Sequence, residues 1–382
     1  MKIFQNIDVY APEHLGRKDV LTVYDKIVKI ADAGSITADG MLFDAETVDG
    51  TDLILTPGFV DCHVHVLGGG GEGGFANRTP EATLEGLTKF GVTTVVGCLG
   101  TDGIGRDMCA LVAKTKGLRE QGMSAWCYTG SYQVPVRTLT DGITKDIMMI
   151  EEVIGTGEIA ISDHRSSQPT FEEFARLTAD TRLGGILSGK AGVVNVHLGG
   201  SPRCMDLIER VISETEIPTS QFLPTHVNRN ERLFQKAIAY ALKGGNVDFT
   251  GNENIDYEET ISDEVRVCKG IRRMLDAGVD PKHITISSDG QGSMPRFSKE
   301  GVFLGMGVGQ SSCLLKEVKE CVEMAQIPLD TALSAITANP AATLSLKGKG
   351  KIQEGFDADL CVLNQKLEIQ EVVARGKTVY TK

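Results

Sequence analysis

The earliest side chains with the types and spacing for metal chemistry are His63 and His65. They end a short apolar run, residues 58–65, whose β-branched and aromatic content is typical of a strand. In a strand, residues i and i+2 point to the same face, so both imidazoles project the same way and can bind one ion. Alone, such a pair is a weak signal, because short motifs often match by chance.

Three more side chains of metal-binding type lie at the ends of later strand-like runs. His197 lies near the end of residues 192–198, His226 near the end of residues 221–227, and Asp289 at the end of residues 284–289. The chain has only seven histidines, and four of them occupy such positions. The repetition of one setting favours a shared metal centre over four unrelated core or loop histidines.

The runs that carry these residues belong to a regular alternation of strands and helices. The predicted strands are residues 58–65, 92–99, 124–132, 158–162, 192–198, 221–227, 246–250 and 284–289. The clearest predicted helices are residues 111–121, 206–215, 231–243 and 264–277, and several end at glycine. Eight strands alternating with helices predict an α/β fold of the (β/α)₈ TIM-barrel type, whose catalytic residues lie at the carboxyl ends of the strands.

The sequence pattern at both ends of the chain differs from this alternation, because short apolar runs are separated by glycine and aspartate turns without helical segments between them. Residues 1–56 and 343–382 are therefore predicted to pair into one small, discontinuous β-sandwich domain. Residues 57–342 form the predicted catalytic barrel.

Composition excludes several other kinds of protein. The net charge is −12 and no long basic run occurs, which argues against a nucleic-acid surface. No stretch approaches the roughly 20 apolar residues of a membrane span. The nine cysteines are spread singly without a CxxC motif, so we expect no disulfide framework and a reducing, cytoplasmic location.

At this level of detail the chain resembles a known superfamily. Residues 57–65, Pro-Gly-Phe-Val-Asp-Cys-His-Val-His, are similar to the first-strand motif of the amidohydrolases. Further blocks resemble the β-aspartyl (isoaspartyl) dipeptidases, in the same order along the chain. These blocks are residues 68–72, 99–102, 129–132, 161–165, 225–230 and 287–293.

The resemblance implies two zinc ions bridged by a carboxylate and a hydroxide. In well-known members the carboxylate is a carbamylated lysine on the fourth strand, and Glu158 stands at the matching position here. We therefore expect Glu158 to bridge both ions directly, the alternative being a site that holds one ion. The nearest lysines, Lys145 and Lys190, are expected to lie outside the strand and face solvent. The implied metal ligands are His63, His65, Glu158, His197, His226 and Asp289.

The resemblance also implies catalytic and substrate-binding roles. Asp289 would act as general base and then general acid, and the hydroxyl of Tyr132 would stabilise the developing oxyanion. A β-aspartyl dipeptide carries one ammonium and two carboxylates, which calls for one anionic and two cationic groups in the pocket. The expected substrate-binding residues are Glu72, Thr101, Tyr132, Arg165, Arg229 and Ser293.

The predicted function is thus zinc-dependent hydrolysis of β-aspartyl dipeptides, with a small molecule as the partner and neither nucleic acid nor membrane involved. One alternative keeps the chemistry and changes the substrate, giving a cyclic amidohydrolase of the dihydroorotase or hydantoinase type, or a deacetylase. A second alternative is a non-catalytic scaffold with this fold. The resemblance also suggests a homo-oligomer, as large as an octamer.

Overall fold

The computed structural model describes residues 1–38, 44–252, 263–298 and 303–382. Its strands are β1 (Lys2–Tyr10), β2 (His14–Val23), β3 (Lys26–Asp32), β4 (Glu46–Asp49), β5 (Leu53–Pro57), β6 (Phe59–Val64), β7 (Val92–Gly97), β8 (Ser124–Thr129), β9 (Val153–Ile161), β10 (Val193–Leu198), β11 (Phe222–Thr225), β12 (Val247–Thr250), β13 (Ile284–Ser287), β14 (Ser293–Phe297), β15 (Phe303–Val308), β16 (Leu360–Asn364), β17 (Ile369–Ala374) and β18 (Lys377–Thr381).

The helices lie mainly between the strands of the central part of the chain. They are α1 (Leu84–Thr88), α2 (Met108–Glu120), α3 (Ile143–Met149), α4 (Phe171–Ser188), α5 (Asp206–Glu214), α6 (Glu231–Ala241), α7 (Val267–Asp276), α8 (Ser312–Glu323), α9 (Leu329–Ser334) and α10 (Ala338–Thr343). The predicted helices correspond to α2, α5, α6 and α7, with bounds that differ by at most three residues at each end. None of the helices in the described ranges has the length and apolarity needed to cross a bilayer.

The eight strands β6 to β13 form one parallel sheet in sequential order. Its two edges meet where Val64 pairs with Gly290, and the His65 N–H donates to the Gly290 carbonyl over 2.8 Å. The buried Asp61 carboxylate adds a second tie, since it accepts hydrogen bonds from the N–H and hydroxyl of Ser288. The predicted α/β barrel is therefore confirmed.

The fourth barrel strand begins five residues before its predicted start, at Val153 instead of residue 158. Gly155 and Gly157 lie in the missed part and resemble turn residues in the sequence. In the structure they permit close strand approach, because a Cβ atom on Gly155 would overlap the Val193 carbonyl, and one on Gly157 would lie 2.8 Å from the Asn195 Cβ. The extra length brings Glu158 into the middle of the strand.

The strands of both termini join in a second eight-stranded sheet, ordered β18-β17-β16-β5-β1-β2-β3, with β4 paired to β1. Its two faces alternate as the period of a strand requires. Along β16, Leu360 and Val362 belong to the sheet's own apolar core, whereas Cys361 and Leu363 join the core of the barrel. We keep the predicted division of the chain, residues 1–56 with 343–382 against residues 57–342, as a proposal.

A buried ion cluster ties the terminal sheet to the barrel. The Lys349 ammonium lies 2.6 Å from a carboxylate oxygen of Asp357 and 2.6 Å from one of Asp359. It also donates to the Ser124 hydroxyl at the start of β8.

Replacing Lys349 with methionine removes the cation that pairs with the buried Asp359 carboxylate, while Asp357 keeps its ion pair with Lys26. We expect the free energy of unfolding to fall by about 3 kcal/mol, because breaking a buried pair strands its partner charges. Denaturant unfolding of K349M beside the exposed control K351M measures the difference. Equal loss in both variants would show that the cluster contributes no particular stability.

Candidate metal centre

Each metal ligand predicted from the sequence lies in the carboxyl-terminal half of a barrel strand or just beyond its end. His63 is on β6 and His65 follows that strand, Glu158 is on β9, and His197 is on β10. His226 follows β11, and Asp289 follows β13 by two residues. The parallel order of the strands brings these side chains together on one face of the barrel.

The Glu158 carboxylate lies between two pairs of histidines, with one oxygen toward each pair. Its Oε2 atom is 3.5 Å from His63 Nε2 and 3.7 Å from His65 Nε2. Its Oε1 atom is 2.7 Å from His197 Nδ1 and 3.3 Å from His226 Nε2. Among the described residues, Glu158 is common to two groups of possible ligands, and the ligand atoms of each group lie within 4.8 Å of one another. This is the arrangement that a bridging carboxylate requires.

Neighbouring side chains fix which imidazole nitrogen faces the centre. Asn195 Oδ1 accepts from His63 Nδ1 over 3.0 Å, and Asp163 Oδ2 accepts from His197 Nε2 over 3.0 Å. Thr250 Oγ1 lies 2.6 Å from His226 Nδ1. In each case the other ring nitrogen is left for the centre, as in metal sites whose outer partners orient the ligands.

Two buried carboxylate oxygens at the centre, Glu158 Oε2 and Asp289 Oδ1, make no hydrogen bond of good geometry, although Asp289 Oδ1 lies 3.0 Å from His65 Nε2. Burial alone would raise the pKa of Glu158, but His63, His197 and His226 outweigh it and hold that pKa well below its usual range. Burial also opposes ionisation of Asp289, yet His65 and the other histidines lower its pKa to about 2. Unpartnered carboxylate oxygens among imidazole nitrogens are the donor set that Zn²⁺ prefers, so the residues fit a divalent metal centre.

The backbone around the last two ligands adopts an uncommon conformation. His226 has φ of +64° and Asp289 has φ of +48°, values that few residues other than glycine adopt. At Asp289 the preceding residue is held by Asp61, whose two carboxylate oxygens bind Ser288. Such conformations persist only where the surroundings impose them, and they are concentrated at functional sites.

A cleft of about 340 Å³ opens beside the centre. All six predicted substrate-binding residues line it, together with Asp289, His65 and His197. Glu72 receives hydrogen bonds from the hydroxyls of Thr101, over 3.0 Å, and Ser293, over 3.4 Å. The remaining predicted residues in this wall are Tyr132, Arg165 and Arg229.

Tyr132 contacts a histidine of the centre, and Arg165 contacts two carboxylates beside it. The Tyr132 hydroxyl lies 2.9 Å from His197 Nδ1, and burial raises its pKa well above the usual range, so it remains a protonated donor. Arg165 forms an ion pair with Glu72 over 3.2 Å and a two-point contact with Asp163. Arg229 uses its Nε–H on the Leu198 carbonyl, which aims the guanidinium along the cleft wall.

Comparisons with known proteins decide the family. Residues 190–379 match the model of the amidohydrolase family. A solved β-aspartyl dipeptidase from Fervidobacterium islandicum AW-1, in complex with a β-Asp-Leu dipeptide, has 42% sequence identity and a TM-score of 0.91 to this chain. The match covers 100% of this chain and 96% of that one. The chain belongs to the β-aspartyl dipeptidase family of amidohydrolases.

More distant amidohydrolases share the fold alone. An N-acetylglucosamine-6-phosphate deacetylase from Pasteurella multocida matches with 15% identity and a TM-score of 0.66, over 100% of both chains. A D-hydantoinase matches with 16% identity and a TM-score of 0.67, over 100% of this chain and 95% of that one. At identities this low the matches show a shared fold, and they do not indicate which substrate this chain uses.

Sequence reasoning missed several residues of this family member's site. Asp163, Asn195 and Thr250 orient ligand histidines, and Cys98 lies among the ligands of the first histidine pair. Asn195 could have been found from the strand period, because it lies two residues before His197 on the same face. Cys98 lies within a predicted strand, but in the sequence it was one of nine scattered cysteines.

The two lysines considered near the fourth strand both lie away from the centre. Lys145 is exposed and pairs with Asp141. Lys190 was expected to face solvent, and this was wrong. Its ammonium is half-buried and donates to the carbonyls of residues 147, 150 and 153, at the end of α3 and the start of β9.

Changing Glu158 to glutamine removes the negative charge and one metal-binding oxygen at the shared position. We expect bound metal to fall from two ions per chain to one or fewer, because an amide cannot bridge two cations. Elemental analysis after dialysis, beside the exposed control E151Q from the turn before β9, measures the change. One tightly bound ion in both the parent protein and E158Q would contradict the bridge.

Proposed function

We propose that this chain hydrolyses the isopeptide bond of β-aspartyl dipeptides with two zinc ions bound at the centre. The observation that carries the proposal is the pairing of a carboxylate shared by two histidine pairs with a cleft that holds Glu72, Arg165 and Arg229. The similarity to a dipeptidase solved with β-Asp-Leu supports the same substrate class.

The charges of the cleft match those of the substrate. In a β-aspartyl dipeptide, an ammonium and an α-carboxylate flank the scissile side-chain carbonyl, and the leaving residue has a second carboxylate. Glu72 supplies a carboxylate for the ammonium, while Arg165 and Arg229 supply guanidinium groups for the carboxylates. Because Glu72 and Arg165 now pair with each other, substrate exchanges one internal ion pair for two new ones.

We assign proton transfer to Asp289 and oxyanion binding to Tyr132, which lie between the cleft and the centre. When bound, two divalent cations lower the pKa of a shared water and polarise the scissile carbonyl. Asp289 lines the cleft beside the centre, where its carboxylate would accept a proton from the attacking water and return it to the departing amine. Tyr132 keeps its proton and donates it as a hydrogen bond to the oxyanion that develops.

Location and assembly follow from separate observations. We propose a cytoplasmic location, because no disulfide joins any two of the nine cysteines, all of which lie in the described ranges, as expected in a reducing compartment. The homo-oligomer expected from the resemblance also stays a prediction. It is supported by an exposed apolar stripe on one face of α4, made by Leu183, Ile186 and Leu187.

The zinc-loaded protein is expected to cleave β-Asp-Leu and to leave α-Asp-Leu intact, since in the β-linkage the ammonium and the free carboxylate share one carbon that is a methylene away from the scissile carbonyl, whereas in the α-linkage the ammonium is on the adjacent carbon and the carboxylate is on the side chain. Release of leucine under identical conditions measures both. Dihydroorotate, hydantoin and an N-acetyl amino sugar test the alternatives. Turnover of one of these without β-Asp-Leu cleavage favours the cyclic amidohydrolase or deacetylase reading. Retained metal with no hydrolysis favours the non-catalytic scaffold.

Changing Glu72 to glutamine tests the contact with the ammonium. We expect kcat/KM for β-Asp-Leu to fall roughly ten- to a hundredfold, the range for losing one hydrogen bond to a charged group. Succinyl-leucine, which lacks the ammonium, is the matched substrate. We expect the parent protein to hydrolyse it more slowly than β-Asp-Leu, and we expect its kcat/KM to be no lower in E72Q than in the parent. An equal loss on both substrates would mean that Glu72 acts by holding the loop and not by binding the ammonium. The exposed control is E231Q.

A further inference from the structure

Cys98 lies directly after β7 and is fully buried beside the first histidine pair. Its sulfur is 3.5 Å from His63 Nε2 and 3.8 Å from His65 Nδ1. It belongs to the ligand group that includes His63, His65 and Glu158, whose ligand atoms all lie within 4.8 Å of one another. The function proposed above uses the three other members of this group and leaves the thiol without a role.

The spacing of this group matches the edges of a zinc tetrahedron. With Zn–S near 2.3 Å and Zn–N near 2.0–2.1 Å, a tetrahedral angle separates sulfur from nitrogen by roughly 3.6 Å. The observed separations are 3.5 Å from Cys98 Sγ to His63 Nε2, and 3.5 Å and 3.7 Å from Glu158 Oε2 to the Nε2 atoms of His63 and His65. These three separations leave room for one ion between Cys98, His63 and Glu158, while His65 faces Glu158 with Nε2 and the Cys98 sulfur with Nδ1.

The ordinary explanation of a buried cysteine is that it packs as a small apolar side chain. Cys127, on the neighbouring strand, fits that explanation, because it belongs to the apolar core of the barrel. Cys98 also belongs to an apolar cluster, with Val96 and Tyr128, but its sulfur in addition contacts His63 at Nε2, the nitrogen that faces Glu158, and His65 at Nδ1. Gly100 supports the arrangement, because a Cβ atom there would lie 2.8 Å from His65 Cε1 and displace that ring.

We propose that Cys98 is a thiolate ligand of the metal ion held by His63, His65 and Glu158. The proposal rests on the two-metal centre of the proposed function. On binding, the S–H bond breaks, a sulfur–metal bond forms and the proton leaves to solvent. With Asp289, which lies 3.0 Å from His65 Nε2, the first ion would have five protein ligands, whereas the group of Glu158, His197 and His226 offers three, so the second ion would keep the open position that catalysis needs.

Cobalt substitution tests the ligand directly, because a thiolate bound to Co²⁺ gives a sulfur-to-metal charge-transfer band in the near ultraviolet. The exposed Cys109 is replaced by serine in every sample, so that adventitious binding there cannot contribute. We expect the band in the cobalt-loaded C109S protein. It should be lost in C98S and C98A made in that background, and kept in the matched buried control C127A.

The visible cobalt d–d bands report whether the centre has assembled in each variant. A band that persists in C98S or C98A, or its absence from cobalt-loaded C109S, overturns the assignment. Metal release to a chelator is a second readout, and we expect it at least about tenfold faster in C98S, because even outer-sphere changes cost that much. Equal release rates in C98S and C127A would also count against the ligand.

These outcomes separate this assignment from the proposed function. A cobalt-loaded protein that cleaves β-Asp-Leu without the charge-transfer band removes Cys98 from the ligand set and leaves the function standing. If the protein shows the band, loses it in C98S and cleaves no β-aspartyl dipeptide, then Cys98 stands as a ligand and the proposed substrate class is wrong.

Discussion

A carboxylate buried among four imidazoles is the constraint on which the rest of this structure depends. Glu158 has no exposed surface, and one of its oxygens lacks a hydrogen-bond partner. An ionised carboxylate in such a place is costly unless positive charge compensates it. Two metal ions would meet that need, and the surrounding ligands, their outer partners and the strand ends that carry them are arranged about this one side chain.

At the rim of the cleft, where solvent reaches the side chains, negative charge is again compensated by positive charge. Glu72 and Arg165 pair across it, and Arg165 is braced by Asp163, which also orients His197. Asp163 therefore contacts both the wall of the cleft, through Arg165, and the second histidine pair, through His197.

The barrel supplies the rigidity that this arrangement requires. Asp61 and Gly290 join the first and last barrel strands within two residues of His63 and Asp289. The contacts that close the sheet therefore also hold those two side chains in position. The terminal sheet packs one face onto the barrel, and the buried Lys349 cluster anchors it at the start of β8.

The sequence by itself determined the barrel, its eight strands and which histidines end them, because strand period and buried apolar runs are local properties. The family motifs extended this to Glu158 and the cleft residues, all of which the structure brings together. Only the tertiary structure decided that β9 starts at Val153, since its glycines serve a close strand approach that looks like a turn in sequence. It alone brought Cys98 to His63 and Asp163 to His197, because a contact between different strands depends on register and side-chain direction, and neither can be read from one strand's sequence.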